Sequence, residues 1–450
     1  MLNRIKKYIE THLSLDKDAI HIVALSGGAD SVCLLRIMLQ LQYKVHAVHC
    51  NFHLRGKESN RDENFCKELC SKLNVPLHLA HFDTMLYAKQ KHVSIEMAAR
   101  DLRYSYFEQL RKAIYAADII VAHHRDDNVE TVLMALLRGT GIKGLQGIQP
   151  RNGKIIRPML EVSRQEILDY LLTLKQDYVT DSSNLVDNVT RNKIRLNIIP
   201  MLKEINPAVV ENIARTIENV SESAKIVNDA ISKSIEECVE TKGEYVIIKR
   251  ESLAEQPSPE TVLYEILKKY NFASKQIKNI YDNINVQSGR VWRAEDYTIA
   301  SDRNIFIIGK NVDEQYGTPI SLPEEGHYNL YNSHYNISIT IKKRTHDFAP
   351  SRDANFITID ADKVKFPVTV RKYNQGDKFT PFGMKGAKLV SDYMTDRKKN
   401  YFQRSKQLLI EDASGTVIWV IGERVSQKVA CNENTINVMT VRYIDKSSTL

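Results

Sequence analysis

Cysteine is scarce in this chain, six in 450 residues, and no two form a C-x-x-C pair. That argues against a disulfide framework and against a thiolate metal knuckle. Cys66 and Cys70 in CKELC stand one helical turn apart, as on a helix that buries one face. The thiols therefore read as structural, in a reducing compartment. Long apolar runs are also missing: none nears the roughly 18 residues of a membrane span. The opening MLNRIKKYIETHL alternates charged and apolar residues like an amphipathic helix. It lacks the apolar core of about 7–15 residues that a secretory signal carries. A cytoplasmic protein with no membrane attachment is expected.

What is present describes a globular protein, 43% hydrophobic and 26% charged, long enough for two or three domains. Its net charge of +8 is modest, but the distribution is uneven. Between residues 363 and 408 stand twelve Lys/Arg and three Asp, a surplus larger than that of the whole chain. Such a concentration suits a polyanionic partner. A solvated basic face is the alternative.

Up to about residue 160, strand-like segments (IHIVALS, YKVHAVHC, VPLHLAHF, ADIIVAHH, KIIRPML) alternate with helical ones. Short apolar strands separated by helices imply a parallel sheet covered on both faces, with ligands at the carboxyl ends of its strands. From Asn206 to about Val286 amphipathic helix dominates, interrupted by EYVIIKR and followed by the strand-like VWRAEDYTIASDRNIFIIG. A proline- and glycine-bearing stretch, NVDEQYGTPISLPEEGHYN, reads as a linker. Strands then prevail, with one helix at AKLVSDYMTDRK. The expectation is an α/β protein: a parallel-sheet domain over 1–215, a mainly helical middle domain over 216–335, and a small α+β C-terminal domain over 336–450.

SGGADS, residues 26–31, falls between the first strand and its helix. Gly27 and Gly28 let backbone N–H groups approach a phosphate, and a following helix adds the positive end of its dipole. Ser26 and Ser31 offer hydroxyls, and Ser31 suits a helix cap. Asp30 fits an anion site when it holds a divalent cation, Mg2+, that bridges the phosphates. The loop Ser26, Gly27, Gly28, Ala29, Asp30, Ser31 thus reads as a nucleotide phosphate cradle with magnesium. It lacks the lysine of a G-x-x-x-x-G-K-[ST] loop and is not G-x-G-x-x-G. An ordinary strand–helix turn explains the glycines and a serine, but not the whole motif.

SGGADS resembles the pyrophosphate-loop motif of the N-type ATP pyrophosphatases, which cleave ATP between the α and β phosphates. Further stretches, HHRDDNVET (123–131), LLRGTGIKGLQGI, IIRPML, DSSN (181–184) and TRNKIRLNIIPMLKEINP (190–207), are similar in order and spacing to the tRNA(Ile)-lysidine synthases. So is VRKYNQGDKFTPFGMKGAKLVSDYMTDRKKNYFQR near the C-terminus. The resemblance implies ligation of free L-lysine to C2 of the wobble cytidine of a tRNA(Ile) with a CAU anticodon, through an adenylated intermediate. It implies ATP and Mg2+ as requirements, and leaves the oligomeric state open, a homodimer included.

That chemistry makes demands on the residues. Deprotonating a lysine side chain of pKa near 10.4 at pH 7 costs about 4.6 kcal/mol, so carboxylates are needed beside the cradle. By resemblance, Asp127 serves Mg2+ or the reacting centre, and Glu130 binds lysine. A D-x-x-E cap at a helix start accounts for the same two residues, and a metal cluster of His123, His124 and Asp126 is a further alternative. Arg100, Arg103, Arg191 and Arg195 are candidates for the polyphosphate and adenylate, with Arg103 and Arg195 the favoured pair. His49, Asn51, His53 and Arg55 follow the second strand near the expected nucleotide edge. In the basic segment, Arg371, Lys372, Lys378, Lys385, Lys388, Arg397 and Arg404 are the tRNA-contact candidates, interleaved with aromatics that serve equally as core or as stacking platforms. A tRNA sulfur transferase on the same scaffold, or a non-catalytic RNA-binding protein, are the competing readings.

Overall fold

The structure, a computed structural model, describes residues 1–180, 190–285, 288–312, 315–331, 335–351 and 353–445. DSSN at 181–184 lies outside them. The chain forms two compact units, Met1–Asn228 and Asp229–Leu450.

In the first unit the elements are α1 (Leu2–Tyr8), β1 (Ile20–Ala24), α2 (Ala29–Gln40), β2 (Lys44–Asn51), α3 (Lys57–Leu73), β3 (Leu77–His81), α4 (Thr84–Lys91), α5 (Ile95–Ala113), β4 (Asp118–Ile120), α6 (Arg125–Leu137), α7 (Ile142–Leu145), β5 (Arg151–Asn152), β6 (Ile155–Ile156) and α8 (Arg164–Thr173). The sheet order is β3-β2-β1-β4-β6-β5, parallel from β3 through β6, with only β5 antiparallel. β1 is buried on both faces, which is why it reads as an unbroken apolar run. On one face Val32, Leu35 and Met38 of α2 pack with Leu69 of α3 and Ile167 and Leu171 of α8. On the other, Phe107 and Leu110 of α5 cover Ile22, Val48 and Ile119. Each such side chain, fully buried, contributes about 1.5–3 kcal/mol, so the strand ends are held on a rigid base.

The order 3-2-1-4 reverses direction between β1 and β4. That is where an open α/β sheet leaves a crevice at its carboxyl edge. The loop after β1 is SGGADS; the segment after β4 is AHHRDD. The site is therefore a consequence of topology.

A 30-residue helix, Val209–Cys238, contains the point where one unit gives way to the next. The expected boundary at 215/216 falls inside it. In the second unit the strand-like stretches form a five-stranded antiparallel sheet over residues 239–310. Leu263 and Leu267 from the helix Pro259–Leu267, and Ile277 and Ile280 from Ser274–Asp282, cover its Ile248, Ile299 and Phe306. Beyond it two four-stranded sheets share a core in which Ile337, Ile359 and Met439 of one meet Val368, Ile410 and Trp419 of the other. Among the described residues no helix is long and apolar enough to cross a membrane.

Candidate active site

Between β1 and α2 the chain turns at Gly27, whose φ of +90° lies in the left-handed region that a side chain strains. Gly28 is the N-cap of α2, and α2 has no side-chain cap, so its first-turn N–H groups are left for a ligand. Ser31, expected as a cap, instead braces the loop. Its Oγ accepts from Ser26 N–H at 3.1 Å, stands 3.1 Å from Ser26 Oγ, and donates to Gly28 O at 3.0 Å. Val179 N–H donates to Gly27 O at 2.9 Å and pins the turn from outside. The result is a preformed concave backbone with Asp30 in the first turn of α2.

Helix α6 begins one residue earlier than Asp126, and its capping pair is His124 with Asp127, not Asp127 with Glu130. His124 N–H donates to Asp127 Oδ2 at 3.0 Å. Glu130 falls in the next turn, 1% exposed, too deep for a capping role. Its carboxylate meets two arginines: Arg191 Nε at 2.6 Å from Oε2, and Arg195 Nε at 2.5 Å from Oε1. Asp127 Oδ1 accepts from Arg191 Nη2 at 2.8 Å and lies 3.4 Å from Arg195 Nη2.

Proline explains how Arg195 is presented. Pro200 has no N–H for Leu196 O and crowds it, and over Ile194–Ile198 the helix widens into a π turn. Ile199 N–H donates to Ile194 O, and Arg195 sits on this turn.

The imidazole of His124 joins the two strand ends. Its Nε2 lies 3.7 Å from Asp30 Oδ1 and 3.5 Å from Asp127 Oδ2, and its Nδ1 lies 3.6 Å from Asp126 Oδ2. Burial alone depresses its pKa, but Asp126, Asp127 and Asp30 outweigh burial and raise it. Asp127 N–H donates to His124 Nδ1 at a long 3.4 Å, the other half of the cap. Burial pushes Asp126 up, yet His124 and the Arg164 N–H hold it near 2. Asp127 is likewise held below the ordinary range against its burial, by His124 and Arg191. His123, by contrast, is pushed down to about 4 by burial and accepts from Arg157 Nε at 3.0 Å, so it is neutral. The pKa values of the two adjacent histidines are thus moved in opposite directions.

Arg164, a residue the sequence reading missed, ion-pairs with Asp30 through Nη1. A signal was there. S-x-x-E at Ser163–Glu166 marks a helix start, confirmed as a capping box, and places Arg164 at the first helical position. A cation there opposes the helix dipole unless an outside anion holds it.

Arg103 lies apart from Arg195, exposed on α5 with its guanidinium 5.2 Å from the Phe52 ring centre. Arg191 shares the carboxylates with Arg195 instead. His49 is buried, with Nδ1 2.9 Å from Leu25 O, and Asn51 donates to Glu63, so both are structural.

Among the described residues no three His, Cys, Asp or Glu side chains form a metal cage. Magnesium does not require one: it takes one or two carboxylates and completes its shell with phosphates and water. Asp30 and Asp127, facing one imidazole nitrogen beside the phosphate loop, fit that requirement.

Four of the six cysteines are buried and Cys50 and Cys431 are half-buried, and burial raises the thiol pKa values: Cys33 and Cys50 to about 12, Cys70 to about 11. Such thiols stay protonated, which removes the thiolate that sulfur transfer needs.

In the basic segment Lys378, Lys385 and Arg397 are exposed. Arg371 is not a free cation: it is 12% exposed and ion-paired to Asp377 at 2.8 Å and to Glu411. Lys372 sits 5.2 Å from the Tyr316 ring centre, and Lys388 pairs with Asp396. Arg397 and Lys399 share Glu423, and Lys406 meets Glu244. Arg404 lies in the short helix Tyr401–Ser405. Phe379, Tyr393 and Phe402 are core, whereas Phe382 is 48% exposed.

A glycine turn opening onto an uncapped helix, with Asp30 and a carboxylate pair at the sheet's reversal, defines an ATP pyrophosphatase of the PP-loop class. The PP-loop domain family matches residues 1–202, and the TilS substrate binding domain matches 240–311. The tRNA(Ile)-lysidine synthase of Bacteroides thetaiotaomicron is 42% identical, covering 98% of this chain and 99% of that one. That of Parabacteroides distasonis is also 42% identical, covering 99% and 100%, and that of Clostridium acetobutylicum is 30% identical, covering 98% and 99%. The chain belongs to the tRNA(Ile)-lysidine synthase family.

Proposed function

We propose that this chain joins the side-chain amine of free L-lysine to C2 of the wobble cytidine in tRNA(Ile) bearing a CAU anticodon. ATP is consumed and AMP and pyrophosphate are released, in the cytoplasm. The observation that carries the reading is the convergence of Asp30 with Asp127 and Glu130 at the β1/β4 crevice, beside an uncapped helix N-terminus.

In the first step the C2 oxygen attacks the α-phosphorus, and the bond to the β-phosphate breaks with its electrons going to pyrophosphate. Gly27, Gly28, Ala29 and the hydroxyls of Ser26 and Ser31 hold the phosphates. Asp30 and Asp127 would hold Mg2+, which screens phosphate charge when bound. His124 lies between the same two carboxylates, which raise its pKa. In the second step the lysine amine forms the C2–N bond and AMP leaves with the oxygen. Glu130 and Asp127 receive the ammonium and draw off its proton as attack begins. Arg195 and Arg191, freed from the carboxylates by the incoming ammonium, meet the phosphate of the adenylate. Arg103, exposed on α5, is assigned to the incoming RNA.

The middle residues and the C-terminal residues grip the tRNA body. Lys378, Lys385 and Arg397 supply phosphate contacts, with Lys372, Lys388 and Arg404 beside them. Arg371 is assigned to the fold. Mass spectrometry of tRNA(Ile) incubated with enzyme, ATP, magnesium and isotope-labelled lysine tests the reading. Labelled lysine on the wobble base, with AMP as product, is expected. ADP and orthophosphate, or sulfur on the base, overturn it.

A further inference from the structure

The phosphate cradle uses the ends of β1 and β4, and a separate constellation stands at the ends of β2 and β3. The register pairs Asn51 with His81, so the residues that leave the two strands emerge side by side. Phe52 and Phe82 stack with centroids 5.6 Å apart. His53 Nε2 and His81 Nδ1 are 3.0 Å apart, and their rings stack at 5.1 Å. With Asp83, Thr84 and Met85 these four rings line a cavity of about 340 Å³. Arg103 covers Phe52, and Tyr106 meets Phe82 edge-on at 6.0 Å. Leu54, Met85 and Leu86 stand exposed nearby in sequence, as do the cations Lys89, Arg100 and Arg103.

The chemistry of this lining narrows the ligand. Aromatic faces with a guanidinium and two imidazoles suit a flat, polar-edged ring. Asp83, also in the lining, turns its carboxylate to the start of α4, which it caps by accepting from Leu86 N–H at 2.9 Å. A volume near the lower end of small-ligand sites fits one such ring and its sugar. β3 is two strands from β1, about 10 Å, so the cavity is offset from the reacting centre by the scale of a neighbouring nucleotide.

We infer that this cavity receives an unpaired base of the tRNA anticodon loop other than the wobble cytidine, and so orients the loop for reaction. The inference rests on the proposed function, since it takes the RNA to be the substrate. Stacking between the phenylalanine and histidine pairs holds the base, while Arg100 and Arg103 meet the flanking phosphates. Phe82 is thus a substrate-positioning residue outside the reaction chemistry.

The test compares wild type, Phe82→Ala and Phe82→Tyr, using intact tRNA(Ile) and transcripts made abasic at each other anticodon-loop position in turn. Phe82→Ala is expected to raise KM for tRNA about tenfold, in line with the loss of one base–aromatic stack. KM for ATP stays unchanged, and Phe82→Tyr restores the wild-type value. One abasic transcript should lose the same factor with wild type and nothing more with Phe82→Ala. The inference fails if Phe82→Ala raises KM for ATP and spares tRNA, for then the cavity holds adenine. It also fails if neither KM moves, or if every abasic transcript suffers equally in both enzymes. Should Phe82→Ala not fold, the half-exposed His81 replaced by Ala carries the same comparison. A wild-type enzyme that binds intact tRNA but transfers no lysine sinks the ligase reading, and the cavity is then judged by tRNA affinity alone.

Discussion

Arg195 grips the buried Glu130 carboxylate through two bonds, Nε to Oε1 at 2.5 Å and Nη2 to Oε2 at 3.0 Å. The charge on Glu130 is therefore balanced within the protein, and only another cation can take it over. A lysine ammonium is such a cation. Under the proposed function, that exchange assigns Glu130 to the lysine step, so its replacement is expected to separate the two halves of the reaction.

Glu130→Gln keeps the shape and removes the charge. Adenylation of tRNA is expected to survive, while lysine transfer falls by about a hundredfold or more, the scale of a lost general base. Single-turnover assays with labelled ATP and labelled lysine read the two steps separately. Loss of both together refutes the division of roles.

Asp30→Ala should abolish adenylation and leave tRNA affinity within a few-fold, because Asp30 belongs to the phosphate loop and not to the RNA surface. ATP–pyrophosphate exchange and filter binding measure the two. Adenylation that persists at a normal rate removes Asp30 from the mechanism.

Arg164 is held by Asp30 at the start of α8, where its charge opposes the helix dipole. When phosphates and a divalent cation arrive, the guanidinium is positioned to turn to them. Arg164→Ala is expected to raise KM for ATP about tenfold with a smaller change in kcat. An unaltered KM assigns the pair to structure alone.

Arg371→Ala should cost stability instead of tRNA affinity. Removing one partner from a buried ion pair costs about 3–5 kcal/mol, less here because Glu411 keeps some solvent. Burial pushes Asp377 up, but its bonds to Arg371 outweigh burial and depress its pKa. A depressed carboxylate stabilises the fold above its unfolded pKa of about 3.9, and that stabilisation is lost as pH falls through the folded value. The deficit of the variant is therefore greatest near neutral pH and shrinks in acid. Thermal unfolding across that range reads it. Undiminished stability with weakened tRNA binding restores Arg371 to the RNA surface.

Lys385→Ala should weaken tRNA binding modestly and reduce the log–log salt slope by about one phosphate contact. For the wild type, six neutralised phosphates give a slope of about −4 or steeper. A flat salt response overturns the electrostatic account.

Much of the catalytic unit was legible in the sequence because its elements are locally encoded. A two-face-buried strand, a glycine pair and a helix rich in apolar residues announce SGGADS wherever the rest of the chain lies. The C-terminal charge was legible only in part. Counting residues 363–408 alone hides Glu411, Glu423 and Glu244, which lie outside that window and pair with Arg371, Arg397, Lys399 and Lys406. The aromatics of that stretch were undecided by spacing. Burial decides them, sending Phe379, Tyr393 and Phe402 to the core and leaving Phe382 exposed.

The order of residues along the chain determined the phosphate loop, the helix starts and the alternation that makes a parallel sheet, since each depends on neighbours a few positions apart. Only the tertiary structure decided which charges meet. Arg164 reaches Asp30 across 134 residues and Arg195 reaches Glu130 across 65, because the strand order folds distant segments onto one crevice. Ion pairing weakens with distance and screening, so these partnerships exist only once the fold has brought the groups together away from bulk water.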